Sequence, residues 1–599
     1  MFLPIDREDM KARGWDQADF VLVTGDAYVD HPSFGTAIIS RLLEAHGYKV
    51  AVLAQPDWKS VDAFRTFGKP RLGFLINSGN VDSMVNHFSV GKHRRKKDVY
   101  SPGGKTGRRP DRAVIVYSNR AREAYQDVPV IIGGLEASLR RLGHYDYWDN
   151  RVRRSILLDS GADLLVYGMG EKAIVEIAEA LDAGIAARQI GWIRGTCVRA
   201  KEVVLQQDDI LLPDFERICA SKEAYCQSFA MQYRSNDAVL GRRLMERYGA
   251  RSYILQNPPQ PPLEREELDH LYELPYMRTY HPVYASMGGV PAMEEIRFSI
   301  TANRGCFGGC AFCAITYHQG REVRSRSKAS ILQEAQKLTE LPDFKGYIHD
   351  IGGPTANFRI PSCEKQKKQG LCQHRDCLFP KPCRQLKTDH REYLEVLEAV
   401  RKLDGVKKVF IRSGIRYDYL LADQDDTFLE ELCRHHISGL LKVAPEHISA
   451  GVLARMHKPS KEVFERFSRQ YRAVNRRLGK KQYLIPYFIS SHPGSRLEDA
   501  VELALYLKKT GFVPDQVQDF YPTPGTLATC MYHTEQDPLT GEKLYVAKTM
   551  EEKKLQRALL HFNKRENRGL VKQALRKAGR SDLEDFLLGR RGRQRAKKG

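Results

Sequence analysis

The pattern of apolar and polar positions divides the chain into stretches of different rhythm. Over residues 1–195, short apolar runs alternate with amphipathic ones. Phe20 to Thr24 reads as a buried strand ending at Gly25-Asp26, Thr36 to His46 as a helix stopped by Gly47, and Tyr48 to Leu53 as the next strand. Pro129 to Ile132 is a strand closed by Gly133-Gly134. Asp163 to Tyr167 is another, closed by Gly168-Met-Gly-Glu171, with a helix from Ala173 to Leu181 behind it. Strand–helix units with glycines where each strand ends predict a doubly wound parallel sheet, with any ligand site at those ends.

Residues 196–290 break the rhythm. They are polar and helical, then Pro-rich at Asn257-Pro-Pro-Gln-Pro-Pro262, which predicts a semi-rigid connector. Over 291–527 strand and helix alternate again. The strands are Glu295 to Thr301, Gly346 to Asp350, Lys408 to Arg412, Gly439 to Val443, Tyr483 to Ile489 and Gln516 to Phe520. Six strands with helices between them predict a partial, open (β/α) barrel, interrupted by a Cys-rich insertion over 361–385. Residues 528–599 read as a helical, charged extension with a basic tail. The fold class is α/β throughout. The longest apolar runs, Val128 to Ile132 and Ala113 to Tyr117, fall far short of a ~20-residue membrane span. The first residues are acidic where a targeting peptide is basic, so the expectation is a cytoplasmic protein with no membrane contact.

Composition adds charge to this picture. Hydrophobic residues make up 42% of the chain, which excludes global disorder. Ninety-five Lys plus Arg against 74 Asp plus Glu leave a net +21. Two runs, Lys92-His-Arg-Arg-Lys-Lys97 and Arg590 to Lys598, hold 11 of the basic residues. RNA or another polyanion is a partner compatible with such runs, as are a solvated loop and tail. No RNA-recognition signature accompanies the charge.

Cysteine usage is the strongest chemical signal. Seven of the 12 cysteines lie between 306 and 383. After the first expected barrel strand comes Arg304-Gly-Cys306-Phe-Gly-Gly-Cys310-Ala-Phe-Cys313, a C-x3-C-x2-C spacing on a Gly-rich loop. Three thiolates this close can each ligate one iron of a [4Fe–4S] cubane. The fourth iron then lacks a protein ligand, and the amino and carboxylate groups of S-adenosylmethionine can chelate it. Structural zinc instead takes four ligands as separated pairs, and His318 would need a tight return to complete such a set. Forty residues on, the second strand ends in His349-Asp350-Ile-Gly352-Gly353, where a backbone can approach the methionine amino group. Later strand ends present Arg412 with Arg416, Glu446 with His447, and Ser490-Ser-His492, on the face that carries chemistry in barrels.

These strings resemble the YgiQ family of radical S-adenosylmethionine proteins. The resemblance runs through Gly133-Gly-Leu-Glu-Ala-Ser-Leu-Arg-Arg141, the cysteine loop and His349-Asp-Ile-Gly-Gly-Pro-Thr-Ala-Asn357. It continues in Lys442-Val-Ala-Pro-Glu446-His447 and Gln518-Asp-Phe-Tyr-Pro-Thr-Pro-Gly525. It implies a cluster on Cys306, Cys310 and Cys313, S-adenosylmethionine, and cleavage to a 5′-deoxyadenosyl radical that activates a substrate. An outside donor such as flavodoxin or ferredoxin would supply the electron. Gly352 and Gly353 would line the methionine moiety, with Glu446 and Arg412 as further cofactor contacts. The superfamily's Gly-Gly-Glu reads Gly352-Gly353-Pro354 here, so an acidic contact is missing at that position and Glu446 is its candidate replacement. The competing readings are a non-catalytic Fe–S electron carrier and a metal-stabilised RNA-binding protein.

Three further features bear on cofactors. The front sheet is of the class that carries cobalamin in related enzymes, yet the Asp-x-His-x-x-Gly cobalt-ligating pattern is displaced to Asp30-His31-Pro-Ser-Phe-Gly35, so cobalamin is not expected. Gly103-Gly104-Lys105-Thr106 resembles the end of a P-loop, but Val99 stands where its first glycine belongs and no strand leads in. Cys363, Cys372, Cys377 and Cys383 form a second group, C-x8-C-x4-C-x5-C, in polar, basic surroundings with little apolar material to fold on. Zinc or a second Fe–S cluster there would supply the missing stability.

Overall fold

The computed structural model describes residues 1–512, 514 and 517–589, and the basic run from 590 lies outside them. The front of the chain builds a nine-stranded sheet. Its parallel part has the order Val50–Ala54, Phe20–Thr24, Gly73–Asn77, Val130–Ile132, Leu164–Val166. Phe20–Thr24 is buried along its whole length, which is why it reads as a solid apolar run and not as an alternation. Helices Gly35–Ala45 and Glu171–Asp182 cover one face through Ile38, Leu42, Ile174 and Ile177. Helix Ala113–Ala124 covers the other through Val114, Tyr117 and Ala121.

The sheet does not stop at 195. Thr196–Ala200, Ser252–Gln256 and Leu244–Tyr248 continue it antiparallel, and Ile210–Leu211 forms the far edge. These strands carry the front sheet past 195, into the stretch read as a helical, Pro-rich connector over 196–290. Helices Phe215–Ala220, Lys222–Arg234 and Arg265–Glu273 are present, but the strands among them complete the front sheet. The Pro-rich stretch is pinned to it as well. Asn257 Nδ2 donates to Gly191 O and Ile193 O, each at 3.0 Å, and Arg194 Nε donates to Pro259 O at 3.0 Å.

From residue 299 the expected alternation holds. Ser299–Thr301 pairs parallel with Asp350–Gly352, and Tyr347–Ile348 with Lys408–Val409. Leu440–Glu446 pairs parallel with Tyr483–Ser490, which pairs with Gln518–Asp519. The first strand is shorter than expected, because Glu295 and Ile296 belong to the helical turn Met293–Ile296. Between the third and fourth strands the pairing lapses, and Ile411 N–H reaches His436 O at 3.1 Å.

The last helices lock the two halves together. Met550–Leu560 and Arg568–Lys577 pack on Leu497–Thr510 through Leu503, Leu507, Leu559 and Val571. Gln556 Oε1 accepts from Ser491 N–H and Ser495 Oγ, each at 3.1 Å. Buried Lys553 donates to Tyr532 OH at 3.0 Å and to Tyr147 OH of the front sheet's loops at 3.3 Å. Among the described residues no helix is long and apolar enough to cross a membrane.

Candidate metal centre

The cysteine loop is closed at its neck. Asn303–Arg304 pairs antiparallel with Arg324–Ser325, Cys306 N–H donates to Gly320 O at 3.1 Å, and Gly305 N–H donates to Gln319 Oε1 at 3.1 Å. Gly305 has φ +76, and a Cβ there would overlap Glu322 O, so only glycine lets the loop turn into the first cysteine. Cys306 is buried, while Cys310 and Cys313 are half-buried. Cys306 Sγ lies 3.4 Å from Thr355 Oγ1, and Arg416 Nη1 donates to Cys310 Sγ at 3.3 Å. Burial pushes the Cys306 thiol up, and burial together with the charges of Cys310 and Cys306 lifts Cys313 to about 11. Cys306 and Cys313, held protonated in this way with Cys310 on the same loop, are donors for cations, which reverse that balance on binding.

The donor set fits a cubane better than one ion. Cubane thiolates each meet a different iron, and three cysteines within eight residues of one closed loop suit that arrangement. His318 does not complete a zinc set: its Nδ1 lies 3.0 Å from Ser138 Oγ of the front sheet's loops. Burial lowers it to about 4.

The strand ends gather around this loop unequally. A Cβ on Gly353 would stand 2.5 Å from Asn303 O, so the Gly-Gly turn lies directly against the neck of the cysteine loop. Glu446 is buried at a register shift between its strand and the next, with φ +68, a backbone strain of the kind that collects at functional sites. Burial raises its carboxyl, opposed by the charges of Lys458 and Arg416. Arg412 is turned elsewhere: it is half exposed and faces Glu295 at 3.5 Å. Its place beside the cysteines is taken by Arg416, fully enclosed and held by Asp418 at 2.7 Å. Asn357 Oδ1 accepts from Arg416 N–H at 2.9 Å, and Asn357 Nδ2 donates to Arg416 O at 3.2 Å. His492 packs edge-on to Phe312, and burial drives it down to about 3.

The front sheet contributes a wall that sequence reasoning did not assign. Glu171, the first residue of its helix, forms a buried ion pair with Arg304, whose Nε donates to Tyr272 OH at 3.2 Å. Arg141 stacks its guanidinium 4.0 Å from the Tyr317 ring centre. Between the sheet ends and helices Gly35–Ala45 and Glu171–Asp182 lies an apolar cavity of about 140 Å³, bordered by Asn77, Gly134, Gly168 and His318. His31 does not border it; its Nδ1 accepts from Ser33 N–H at 3.1 Å. The available signal was the Gly133–Arg141 string, whose Ser138 and Arg141 meet the helix after Cys313.

Comparison with known proteins places this geometry. Residues 2–299 match the family described as Radical SAM N-terminal, and residues 515–589 match a domain of unknown function (DUF3362). A UPF0313 protein of Clostridium perfringens (strain SM101) is 58% identical over 583 residues, covering 97% of this chain and 88% of the relative. One of Clostridium botulinum (strain Okra) is 56% identical over 582 residues, covering 97% and 90%. Among solved structures, the cobalamin-dependent S-adenosylmethionine radical enzyme OxsB with aqua-cobalamin bound aligns at a TM-score of 0.51 and 11% identity, over 97% of this chain and 73% of that one. The radical S-adenosylmethionine methyltransferase TsrM from Kitasatospora setae, with cobalamin and a [4Fe–4S] cluster bound, gives 0.47 and 13%, over 94% and 100%. The OxsB match corrects one expectation: the chain has the fold of an enzyme whose structure holds cobalamin, so the displaced His31 pattern gives no ground for excluding that cofactor. The pattern speaks only to an axial histidine, and the cavity at the sheet ends does not depend on one.

Proposed function

The chain belongs to the UPF0313 family, the YgiQ family of radical S-adenosylmethionine enzymes, and from that premise we propose that it cleaves S-adenosylmethionine reductively and directs the 5′-deoxyadenosyl radical to a substrate hydrogen. The observation that carries this is the closed loop that presents Cys306, Cys310 and Cys313 within eight residues, its neck paired strand to strand. A bound [4Fe–4S] cluster supplies the one-electron reduction and the open iron for chelation. The six parallel strands act as a partial (β/α)6 barrel whose C-terminal ends face the loop. Gly352 and Gly353 line the methionine moiety, Glu446 meets its polar groups, and Arg416, not Arg412, holds the Cys310 thiolate in place. The front sheet's wall keeps water from the loop. A flavodoxin- or ferredoxin-type donor delivers the electron. The exposed run at Lys92–Lys97 lies near Tyr521, which follows the sixth strand, and suits RNA or another polyanion as substrate.

The experiment is anaerobic reconstitution followed by reduction with S-adenosylmethionine present. The wild type takes up about four iron at this site and releases 5′-deoxyadenosine, even without substrate. Cys310→Ala releases none and keeps its far-ultraviolet circular dichroism; equal release from the variant would refute the mechanism. The apolar cavity at the sheet ends supports a second reading, a cobalamin whose flat nucleotide base enters between helices Gly35–Ala45 and Glu171–Asp182. Titration with hydroxocobalamin tests it: stoichiometric binding weakened by Gly134→Val supports the reading, and no binding removes it.

A further inference from the structure

Arg416 reaches Cys310 from a backbone that is gripped at two points. Its N–H donates to Asn357 Oδ1 at 2.9 Å, and its O accepts from Asn357 Nδ2 at 3.2 Å. A backbone N–H can only donate and a carbonyl only accept, so the amide of Asn357 has one orientation. Its remaining N–H faces His390 Nε2, 3.1 Å away. That nitrogen must accept, which puts the ring's proton on Nδ1, from where it is donated to Asp423 Oδ2 at 2.7 Å. The direction of every bond from Asp423 to Arg416 is thereby fixed. Beyond them, Arg416 Nη1 donates to Cys310 Sγ at 3.3 Å and to Gly308 O at 3.4 Å.

Neither capping nor packing explains this chain of bonds. His390 occupies the N-cap position of the helix Arg391–Arg401, yet its side chain makes no capping bond. Its ring is buried nearly parallel to Phe428, with ring centres 4.4 Å apart, a place that a hydrocarbon ring would fill as well. What the two nitrogens add is the link from Asn357 to Asp423. Asp423 stands at a surface depression of about 440 Å³ bordered by Thr388, Asp389 and Asp425, and its other oxygen accepts from Asp425 N–H at 3.2 Å. At the far end, a Cβ on Gly308 would stand 2.5 Å from Arg416 Nη1, so the guanidinium lies directly on the cysteine loop.

We propose that His390 and Asp423 are positioning residues that hold Arg416 to the Cys310 thiolate and so set the potential at which the cluster accepts its electron. The inference rests on the reading of Cys306, Cys310 and Cys313 as cluster ligands. The one electron that a flavodoxin- or ferredoxin-type donor delivers adds a negative charge to the cluster and its thiolates. A guanidinium hydrogen bond to one of those sulfurs favours the more negative state. Loosening Arg416 therefore makes the cluster harder to reduce.

The test is a redox titration of the anaerobically reconstituted full chain, read by electron paramagnetic resonance, beside Asp423→Asn and His390→Phe. In Asp423→Asn the side-chain oxygen stays with Asp425 N–H, so the new amide nitrogen faces His390 Nδ1 and drives the ring proton to Nε2, against Asn357. His390→Phe keeps the ring and removes both nitrogens. Each variant should take up as much iron as the wild type. At a fixed potential its ratio of reduced to oxidised cluster should fall about tenfold, a midpoint more negative by ~59 mV for one electron. The sign of the shift separates two effects, because loss of the Asp423 charge by itself eases reduction and raises the midpoint. Asp389→Asn, at the same depression but outside the chain of bonds, should leave the midpoint in place or raise it slightly. A midpoint unmoved or raised in either folded variant overturns the proposal, as does an equal downward shift in Asp389→Asn. Where one variant fails to fold, the other decides. Loss of the cluster from both also overturns it, since these residues would then build the site and not tune it. A wild type that takes up no cluster refutes the reading of the three cysteines, whereas a wild-type cluster with unmoved variants refutes this inference alone.

Discussion

Replacing Arg304 by methionine should destabilise the front sheet through a residue outside it. Arg304 is buried and pairs with Glu171, whose other carboxylate oxygen has no hydrogen-bond partner among the described residues. Removing one member of a buried pair leaves an uncompensated charge, which costs about 3–5 kcal/mol. Glu171 opens the helix Glu171–Asp182, and the helix dipole returns up to about 1 kcal/mol of that. The net expectation is a loss of roughly 2–4 kcal/mol. All four tryptophans, Trp15, Trp58, Trp148 and Trp192, lie in the front part of the chain, so their fluorescence follows that part's unfolding. At a urea dependence of about 2 kcal/mol per molar, the midpoint should fall by roughly 1–2 M in cluster-free protein. Glu171→Leu alone should show a comparable loss, because the guanidinium is then stranded. The double variant should recover most of either loss, since two apolar groups in place of a buried pair are often neutral. Single variants within about 0.3 M of the wild type, or a double variant losing the sum of both, would refute this account of the interface.

Two other outcomes follow from the same structure. His144, His318, His436 and His533 are lowered to about 4 by burial, and His447 and His492 to about 3, so below about pH 6.5 the unfolded chain binds more protons and stability falls with acid. Burial raises Asp26 to about 6 and Glu246 to about 7, which acts oppositely, but six histidines outweigh two carboxyls, and urea midpoints at pH 7.5 and 5.5 should show the loss. Gly305→Ala should cut reconstituted iron severely, because its Cβ meets backbone at Glu322; Gly320→Ala, strained by its φ of +83 but with open space, should lose about 1–3 kcal/mol and keep its iron.

The parallel strands and the three cysteines were legible because their signals are local. Strands buried on both faces are solidly apolar, and the C-x3-C-x2-C loop shows itself within eight residues. Leu244–Tyr248 escaped notice for the opposite reason. It carries Glu246, which is fully buried, pairs with Tyr248 OH two residues on, and accepts from Gly143 N–H at 2.7 Å, a contact supplied from 103 residues upstream. A carboxylate in a strand reads as surface unless those partners are known. Arg412 and Arg416 present the same difficulty. Both are arginines at the end of one strand, and what separates them is Asn357, 59 residues upstream of Arg416 and bonded to its backbone. No local pattern encodes that choice.

The ion pair between Glu171 and Arg304 also sets a timetable for synthesis. The partners are 133 residues apart, and Tyr147 is 406 residues from Lys553. At about 5–20 residues per second, the helix bearing Glu171 waits roughly 7–27 s for Arg304, and Tyr147 waits roughly 20–80 s for Lys553. During that interval the nascent front sheet displays an unpaired carboxylate and an aromatic face that the finished protein encloses. The surface that will seat the cysteine loop is thus the one most open to association with other chains while translation continues.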